Sequence, residues 1–233
     1  VYRMPETGRK RDLAARMARF VRSSDRDGRD ERYASWLRIF QPEEKITAYS
    51  ADFQNAVIPV STTFDPVLAA FSQSDANGLV SEAQWVDTMS YLPGDLLVKA
   101  DRMSMAHGLE LRSPLLDHRL VEFLSSIPED LKVRRFTTKY ILKKAFSDVI
   151  PKEILSRPKE GFGVPLAGWL RNDLRELTED LLMTRSASVT AVIRREYIDN
   201  IVHEHMDGRA NHAAKIWTLL CLEAWCSAFK TRF

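Results

Sequence analysis

Apolar residues recur at helical spacing along almost the whole chain, and this period constrains the fold more than any other feature of the sequence. Leu120, Val121, Leu124 and Ile127 are a clear example, because spacings of one, four and seven put them on one helix face. Alternation typical of a half-buried strand is confined to residues 109–112. The sequence therefore predicts a mainly α protein with functional loops between its helices.

Capping residues and prolines predict where several helices begin and end. Asp65 followed by Pro66 is typical of a helix N-terminus, and Asp117 is a candidate cap further along the chain. We expect Ser81 to cap another helix, which would stop at residues 91–94, Tyr-Leu-Pro-Gly.

Three further helices follow from the same apolar period. The pattern predicts helices around residues 13–20, over residues 95–106 and over residues 140–150. Gly108 is expected to close the second of these, and Pro151 to stop the third.

Length and composition indicate a globular protein with a sizeable core. The chain has 233 residues, of which 45% are hydrophobic and 28% are charged. A net charge of +2, from 34 basic and 32 acidic residues, argues against a general nucleic-acid binder. We therefore expect no nucleic-acid partner. No apolar run approaches the length of a membrane span and no signal peptide is visible, so we expect no membrane partner either.

The cysteines favour a reduced protein without a structural metal. Cys221 and Cys226 lie five residues apart in the last apolar helix, on different faces. No Cys-x-x-Cys pair or histidine cluster accompanies them, so we predict no metal site within the chain. The expected location is cytoplasmic.

A basic loop bounded by prolines and glycines is the first candidate functional segment. Residues 157–165 contain two prolines and two glycines, which rule out a regular helix. Arg157 and Lys159, beside Glu160, would present positive charge on a shaped loop, an arrangement suited to binding phosphate. A solvated basic turn explains these residues equally well.

A second segment, residues 91–117, mixes core residues with charges of both signs. Asp95, Lys99 and Arg102 fall at spacings of four and seven, so they share a helix face, and Asp101 lies beside them. A solvated face with an Asp95–Lys99 ion pair, worth only about 0.3–0.5 kcal/mol, would explain this pattern.

Two features favour a functional site over a solvated face. The charges are flanked by Leu96, Leu97, Met103 and Met105, which we expect to be buried. A purely exposed face also has no need of the chain break at Gly108.

Beyond that break, Glu110 and Arg112 alternate with leucines. Both charges would point the same way from an extended strand. Bidentate arginine–carboxylate geometry suits two roles equally, an internal brace and contact with a substrate carboxylate.

Several blocks in this order resemble the C-terminal synthetase domain of glutamine-dependent asparagine synthetases. They are residues 91–117, Lys139-Tyr140, Arg157-Pro158-Lys159, Gly161-Phe162 and Val164-Pro165. The similarity covers most of residues 80–183, and spaced blocks are far more specific than a lone glycine motif. The same domain is similar to that of the β-lactam synthetases and of amidotransferases associated with polysaccharide gene clusters.

The resemblance implies a fold, a reaction and the cofactors ATP and Mg²⁺. The chain would be the C-terminal helical portion of an α/β domain of ATP-pyrophosphatase type (adenine nucleotide alpha hydrolase-like). That domain adenylates the side-chain carboxylate of aspartate and releases pyrophosphate. Ammonia derived from glutamine then displaces AMP, which gives asparagine.

The resemblance also assigns site residues. The family's catalytic lysine matches Lys159, which would stabilise the α-phosphate and the departing pyrophosphate as negative charge develops there. Arg157 is a second candidate for the same pocket. The charged group on residues 95–102 would either form an ion-pair network that shapes the site or contact the substrate directly.

Parts of the family pattern are missing from the sequence. They are the Ser-Gly-Gly-x-Asp-Ser pyrophosphate loop, the acidic glycine-rich segment that supplies a metal-binding aspartate, and the glutaminase domain with its N-terminal cysteine. We therefore expect residues 1–233 to be the C-terminal part of a longer synthetase, or one partner of a split one, inactive alone. Its partners would be the missing N-terminal portion and, as an option, a second copy in a homodimer.

Two other functions stay open. The same adenylation and amidation chemistry could act on another carboxylate, such as that of a glycan or a peptide. A non-catalytic helical interaction module is the second option, although such a relic has no reason to keep Lys159 on a shaped loop.

Overall fold

The computed structural model describes residues 21, 28–61, 65–157, 163–184 and 186–231, and within these ranges the chain is mainly helical. The apolar period therefore predicted the structural class correctly. The helix predicted around residues 13–20 lies outside the described residues.

Fourteen α-helices and one hairpin are assigned in the described ranges. The elements in chain order are α1 (Arg29–Leu37), α2 (Pro42–Ala48), α3 (Ala51–Ser61), α4 (Pro66–Ser72), α5 (Leu79–Met89), a π-helical segment (Leu92–Leu97), α6 (Val98–Met105), a 3-10 turn (Pro114–Leu116), α7 (His118–Ser126), α8 (Glu129–Lys132), β1 (Val133–Arg134), β2 (Thr137–Thr138), α9 (Tyr140–Ala145), α10 (Lys152–Ser156), α11 (Leu166–Arg171), α12 (Arg175–Leu182), a second 3-10 turn (Ser188–Ala191), α13 (Arg195–Met206) and α14 (Ala213–Phe229).

The chain divides into two compact units, and the first combines α1–α3 with α11–α14. Its core is a cluster of fully or almost fully buried aliphatic side chains. Members include Leu170, Leu182, Ile198, Ile216 and Leu219. Burial of such side chains is worth about 1.5–3 kcal/mol each, so this cluster is the main stabilising feature of the unit.

Backbone hydrogen bonds join the two chain segments of the first unit. Tyr49 and Ile193 form an isolated antiparallel bridge, the Ser50 N–H donates to Val192 O at 2.9 Å, and the Arg194 N–H donates to Ala48 O at 2.8 Å. The buried Glu223 carboxylate accepts from the Val189 N–H at 2.7 Å, which fixes the 3-10 turn against α14.

The second unit, residues 64–161, contains α4–α10 and the β1–β2 hairpin. Its buried hydrophobic residues within the described part are Val67, Ala70, Val86 and Ile127. The Trp85 Nε1–H donates to Ala70 O at 3.1 Å, which ties α5 to α4.

Two of the predicted caps are confirmed and one is wrong. Asp65 accepts from the Val67 and Leu68 N–H groups, and Asp117 accepts from the Arg119 N–H at 3.0 Å. Ser81 instead lies inside α5, where its own N–H donates to Glu129 Oε1 at 2.6 Å.

The capping group of α5 is supplied from outside the helix. Gly78 is the N-cap residue at φ 120°, and a Cβ there would collide with the Glu129 carboxylate. The glycine therefore leaves room for a distant carboxylate that satisfies the free N–H groups of the first turn.

The predicted helix stop at residues 91–94 is wrong. After a distorted Ser90, at φ −124° and ψ −70°, the chain continues through the π-helical segment, which contains Pro93 and Gly94, directly into α6. Proline is tolerated there because the first turn of a helical segment has no need of its N–H. Gly108, at φ 67°, closes the run as predicted, since Leu109 N–H donates back to Ser104 O at 3.0 Å.

The strand prediction is also wrong. Residues 109–112 have no regular secondary structure, and the strands of the described chain are Val133–Arg134 and Thr137–Thr138. The turn between them places Arg135 at φ 54°, a left-handed conformation usually reserved for glycine, so the sequence carries no ordinary turn signal.

Two smaller points complete the comparison. The helix predicted over residues 140–150 ends at Ala145, and turns follow it. No helix in the described ranges is long and apolar enough to cross a membrane.

Candidate functional site

The π-helical segment and α6 carry four of the predicted site residues. Lys99 Nζ lies 3.1 Å from Asp95 Oδ1, and both side chains are largely exposed. Asp101 and Arg102 are exposed on α6 and form no ion pair with another described side chain. Of the ion-pair network predicted for residues 95–102, the described residues therefore form one pair, Asp95–Lys99.

The hydrophobic neighbours of these charges are exposed, contrary to expectation. Leu96 and Leu97 are 40% and 38% accessible, and Met103 and Met105 are 62% and 55% accessible. Burial depends on which elements pack on a helix face, and among the described residues nothing covers this one fully.

Glu110 and Arg112 form a charge-assisted hydrogen bond through Oε1 and Nη2. They lie on the same side of an irregular segment, although not on a strand as predicted. Both are exposed, so the arginine braces the glutamate locally while leaving the pair accessible.

Asp117, at the end of residues 91–117, forms a bidentate ion pair with Arg119. Arg119 Nε and Nη2 donate to Asp117 Oδ1 and Oδ2 at 3.0 and 2.8 Å. These hydrogen bonds lower the pKa of the Asp117 carboxyl and raise the pKa of the Arg119 guanidinium. The aspartate therefore stays ionised while it caps α7.

The basic loop is only partly described. Arg157 follows α10 with an exposed side chain, and its N–H donates to Ile154 O at 3.3 Å. Lys159 and Glu160, like Gly161 and Phe162, lie outside the described residues. The structure therefore places Arg157 but does not test the role of Lys159.

The β1–β2 hairpin and its flanking residues carry a concentration of positive charge that the net charge of the whole chain does not reveal. Residues 131–147 contain six basic and no acidic residues. Arg134 Nη1 donates to the Tyr140 hydroxyl at 2.8 Å and its guanidinium lies 5.2 Å from the ring centroid, while Phe136 is fully exposed at the turn. A charge count in short windows would have found this surface.

Metal ligation is not supplied by the described residues. Among them, no group of three or more His, Cys, Asp or Glu side chains could hold a metal ion. The two cysteines are unpaired, Cys221 exposed and Cys226 buried, and burial raises the pKa of both thiols.

Comparison with known proteins identifies the family. The asparagine synthase family model matches residues 2–227, nearly the whole chain. No solved structure matches significantly.

The curated relatives have the same family name. The chain is 34% identical over 197 residues to asparagine synthetase [glutamine-hydrolyzing] 1 of Bacillus subtilis, covering 84% of this chain and 30% of the relative. A putative asparagine synthetase of Mycobacterium bovis is 33% identical over 204 residues, covering 86% of this chain and 30% of the relative. The asparagine synthetase of Gallus gallus is 34% identical over 143 residues, covering 55% of this chain and 26% of the relative.

The matched region is a minor part of each relative, since the chain spans about 30% of the length of the bacterial proteins. The family model nevertheless covers both units, including the segments with the predicted site residues. The chain belongs to the asparagine synthase family.

Proposed function

We propose that residues 1–233 form the C-terminal part of a synthetase that converts aspartate, ATP and ammonia into asparagine, AMP and pyrophosphate. The observation that carries this proposal is the family match over residues 2–227, which includes the blocks at 91–117 and 157–165. The relatives named as glutamine-hydrolysing asparagine synthetases support glutamine as the source of ammonia.

The reaction has two steps. A side-chain carboxylate oxygen of aspartate attacks the α-phosphorus of ATP, the bond between that phosphorus and the bridging oxygen breaks, and pyrophosphate leaves with the electron pair. Ammonia then attacks the acyl carbon of the aspartyl adenylate, AMP leaves with the carboxylate oxygen, and the nitrogen loses a proton.

Positive charge near the phosphates is the main requirement of the first step, because negative charge accumulates on the leaving pyrophosphate. In our proposal Lys159 supplies it at the reacting α-phosphate, and Arg157 contributes to the same pocket. The exposed side chain of Arg157 fits this role, since it is accessible to a ligand.

The second charged block has a supporting role in this proposal. The Glu110–Arg112 pair is accessible and internally neutralised, which suits a brace that keeps the glutamate oriented. The Asp95–Lys99 pair is of the same kind, while Arg102 and Asp101, without ion pairs among the described residues, are left for contacts with substrate.

Domain organisation and partners belong to the same proposal. The chain would complete an α/β domain of ATP-pyrophosphatase type whose nucleotide-binding loop, and the N-terminal glutaminase domain, lie on the rest of the protein. The relatives' greater length supports such a missing portion. A homodimer and a cytoplasmic location are further proposals, the latter supported by two unpaired cysteines.

ATP and Mg²⁺ place different demands on this chain. Exposed lysine and arginine side chains fit the phosphates of ATP. Mg²⁺ prefers several oxygen ligands, and the described residues offer no such cluster, so we propose that the rest of the protein supplies the metal site.

Product analysis of the full-length protein tests the proposal. With ATP, Mg²⁺, aspartate and ammonium, we expect equal amounts of AMP, pyrophosphate and asparagine, and rescue of an asparagine auxotroph by the gene. Release of ADP and phosphate, or no dependence on aspartate, would overturn it. Formation of AMP with a glycan or peptide carboxylate, but not with aspartate, would assign the chemistry to another acceptor.

A further inference from the structure

The outward face of α14 carries no charged side chain, although the helix is described throughout its 17 residues. Both charged residues of α14 have partners within the first unit. Lys215 Nζ forms an ion pair with Glu44, and the Glu223 carboxylate accepts from the Val189 N–H at 2.7 Å. The exposed residues of α14 are instead small or aromatic: Ala214, Trp217, Cys221, Ala224, Trp225, Ser227, Ala228 and Phe229. A helix lying on a solvated surface normally turns its charged and polar residues outward, so this face is typical of a packing surface.

Most of these residues form a stripe with the spacing of a coiled coil. Residues 214, 217, 221, 224 and 228 follow one another at intervals of three, four, three and four. Such spacing puts them in one line along the helix, as at positions a and d of a heptad. Trp225 lies beside this line, and the rings of Trp217 and Trp225 are 44% and 46% exposed. We call the stripe and Trp225 together the α14 seam.

The seam has matching residues at equal distances on either side of Cys221. Trp217 and Trp225 are each four residues from Cys221, and Ala214 and Ala228 are each seven residues from it. In an antiparallel pair of identical helices with a two-fold axis at Cys221, residues at equal distances lie level with each other. Trp217 of one copy would lie level with Trp225 of the second copy, while the small residues let the two helices approach closely.

The absence of charge from this face also fits a second copy. A two-fold interface brings each residue of one copy near the same surface of the other, so a charged face would meet like charge. An uncharged face avoids this repulsion and is complementary to itself. A segment of different sequence would have no need of tryptophans placed symmetrically about Cys221.

The exposed area indicates a weak dimer. Trp217, Trp225 and Phe229 each expose about 100 Å², so two copies would bury about 600 Å² of ring surface. A specific interface buries at least about 1,000 Å² in total, and the small residues of the seam and its surroundings would supply the rest. Interfaces at this lower limit are weak, so we expect a dissociation constant in the micromolar range.

We propose that the α14 seam is the interface of a homodimer, in which two copies of α14 pack antiparallel about a two-fold axis at Cys221. This inference rests on the homodimer of the proposed function, to which it adds a surface and a geometry. It does not depend on the synthetase chemistry.

Cys221 makes the geometry measurable. Packed helix axes lie about 8–10 Å apart and Cα atoms lie about 2.3 Å from each axis, so the two Cys221 Cα atoms would be about 3.5–5.5 Å apart. Disulfides form over Cα separations of about 4.4–6.8 Å, which overlap this range. The Cys221 thiol is exposed. Diamide, which accepts the two thiol hydrogens as the disulfide forms, should therefore link two copies of the full-length protein, and Cys221→Ser should abolish the covalent dimer on a non-reducing gel.

Two exposed alanines of the first unit provide a matched pair of variants for the non-covalent dimer. Ala224 lies in the seam, whereas Ala56 lies on α3. In the full-length protein, Ala224→Arg should raise the dissociation constant at least about 100-fold, because each dimer would bury two unpaired charges. Ala56→Arg should leave the constant unchanged. Sedimentation velocity across the micromolar range measures both, and circular dichroism should show the wild-type helix content for both variants.

Several results would overturn the inference. They are a wild-type protein that stays monomeric across this range, a covalent dimer that persists in Cys221→Ser, and an Ala224→Arg protein that dimerises like wild type. Loss of helix content in Ala224→Arg would show that the seam packs within one copy, against the rest of the protein, and would also overturn it. Formation of AMP and asparagine is measured separately, so the proposed reaction can fail while the dimer is confirmed, or the reverse.

Discussion

The two units of this chain differ in how they use their apolar residues. In the first unit, α11–α14 converge on a core of buried aliphatic side chains such as Leu170, Ile198 and Ile216. In the second unit, buried hydrophobic residues are few, and large ones such as Leu115 and Phe136 are exposed. The predicted site residues that the structure describes all belong to the second unit.

The difference teaches that the main buried core and the predicted site residues lie on different parts of this sequence. The first unit resembles an ordinary helical core, in which the buried Thr178 and Glu223 side chains both form hydrogen bonds. The second unit keeps its charges and much of its apolar surface accessible, as expected for a part that binds ligands or other parts of a larger protein.

Core truncation gives the largest expected contrast between the units. Ile216→Ala should lower the free energy of unfolding by about 2–5 kcal/mol, because Ile216 is fully buried in the core. Leu115→Ala removes a similar side chain that is 65% exposed, and should change the free energy by less than about 0.5 kcal/mol. Denaturant titration of this chain measures both, and equal losses would contradict the comparison.

Loss of an ion pair should also lower the free energy of unfolding more in the first unit than in the second, although by less than core truncation does. Glu44 accepts from both Lys215 Nζ and the Tyr197 hydroxyl in a mostly buried setting. Burial alone would raise the pKa of Glu44, but hydrogen bonds from Lys215 and Tyr197 outweigh it and lower the pKa. Lys215→Met removes the positively charged partner of this carboxylate and should cost on the order of 1–3 kcal/mol.

The exposed Asp95–Lys99 pair is the matched control. Lys99→Met should cost no more than about 0.5 kcal/mol, since both side chains are solvated. Thermal and denaturant melts of the two variants provide the comparison. A Lys99→Met loss as large as that of Lys215→Met would show that the second unit depends on its ion pair.

A buried histidine should make the first unit sensitive to acid. His205 is fully buried, its Nδ1 accepts from the His212 N–H at 3.2 Å, and its Nε2 has no partner among the described residues. Burial, with help from nearby Arg171, lowers the pKa of His205 below its usual value of 6.5. The unfolded chain therefore binds the proton more readily than the folded one.

The sign follows from proton linkage. Stability should be unaffected by His205 well above pH 6.5 and should fall as the pH drops below that value, by at most about 1.36 kcal/mol per pH unit for one proton. His205→Gln should remove this slope, whereas His203→Gln, at an exposed position of the same helix, should keep it. Denaturant titrations between pH 5 and pH 8 measure this pH dependence. If both variants retained the slope, its assignment to His205 would be wrong.

Sequence reasoning succeeded where the cause is local. Asp65 and Asp117 cap helices through their immediate neighbours, and the Asp95–Lys99 and Glu110–Arg112 pairs join residues four and two positions apart. Spacing along one helix or one extended segment determines all of these contacts.

It failed where the cause is distant or rare. The sequence predicts Ser81 as a cap, but the capping carboxylate belongs to Glu129, 48 residues along the chain. The Pro93-Gly94 pair indicated a helix end, whereas the backbone absorbs both residues in a π turn. Arg135 adopts a left-handed turn without glycine, so the hairpin had no sequence signal.

Our central proposal is that the loop at residues 157–165 supplies the cation that stabilises the departing pyrophosphate. The most direct test is the rate of aspartate-dependent pyrophosphate release by the full-length protein carrying Lys159→Ala. Loss of one such donor typically costs about 2.7–4 kcal/mol, so we expect a fall of about 100-fold to 1000-fold with unchanged folding. Lys152→Ala, which removes the same charge from the exposed start of α10, should leave the rate unchanged. A Lys159→Ala protein that releases pyrophosphate at the wild-type rate would contradict the account.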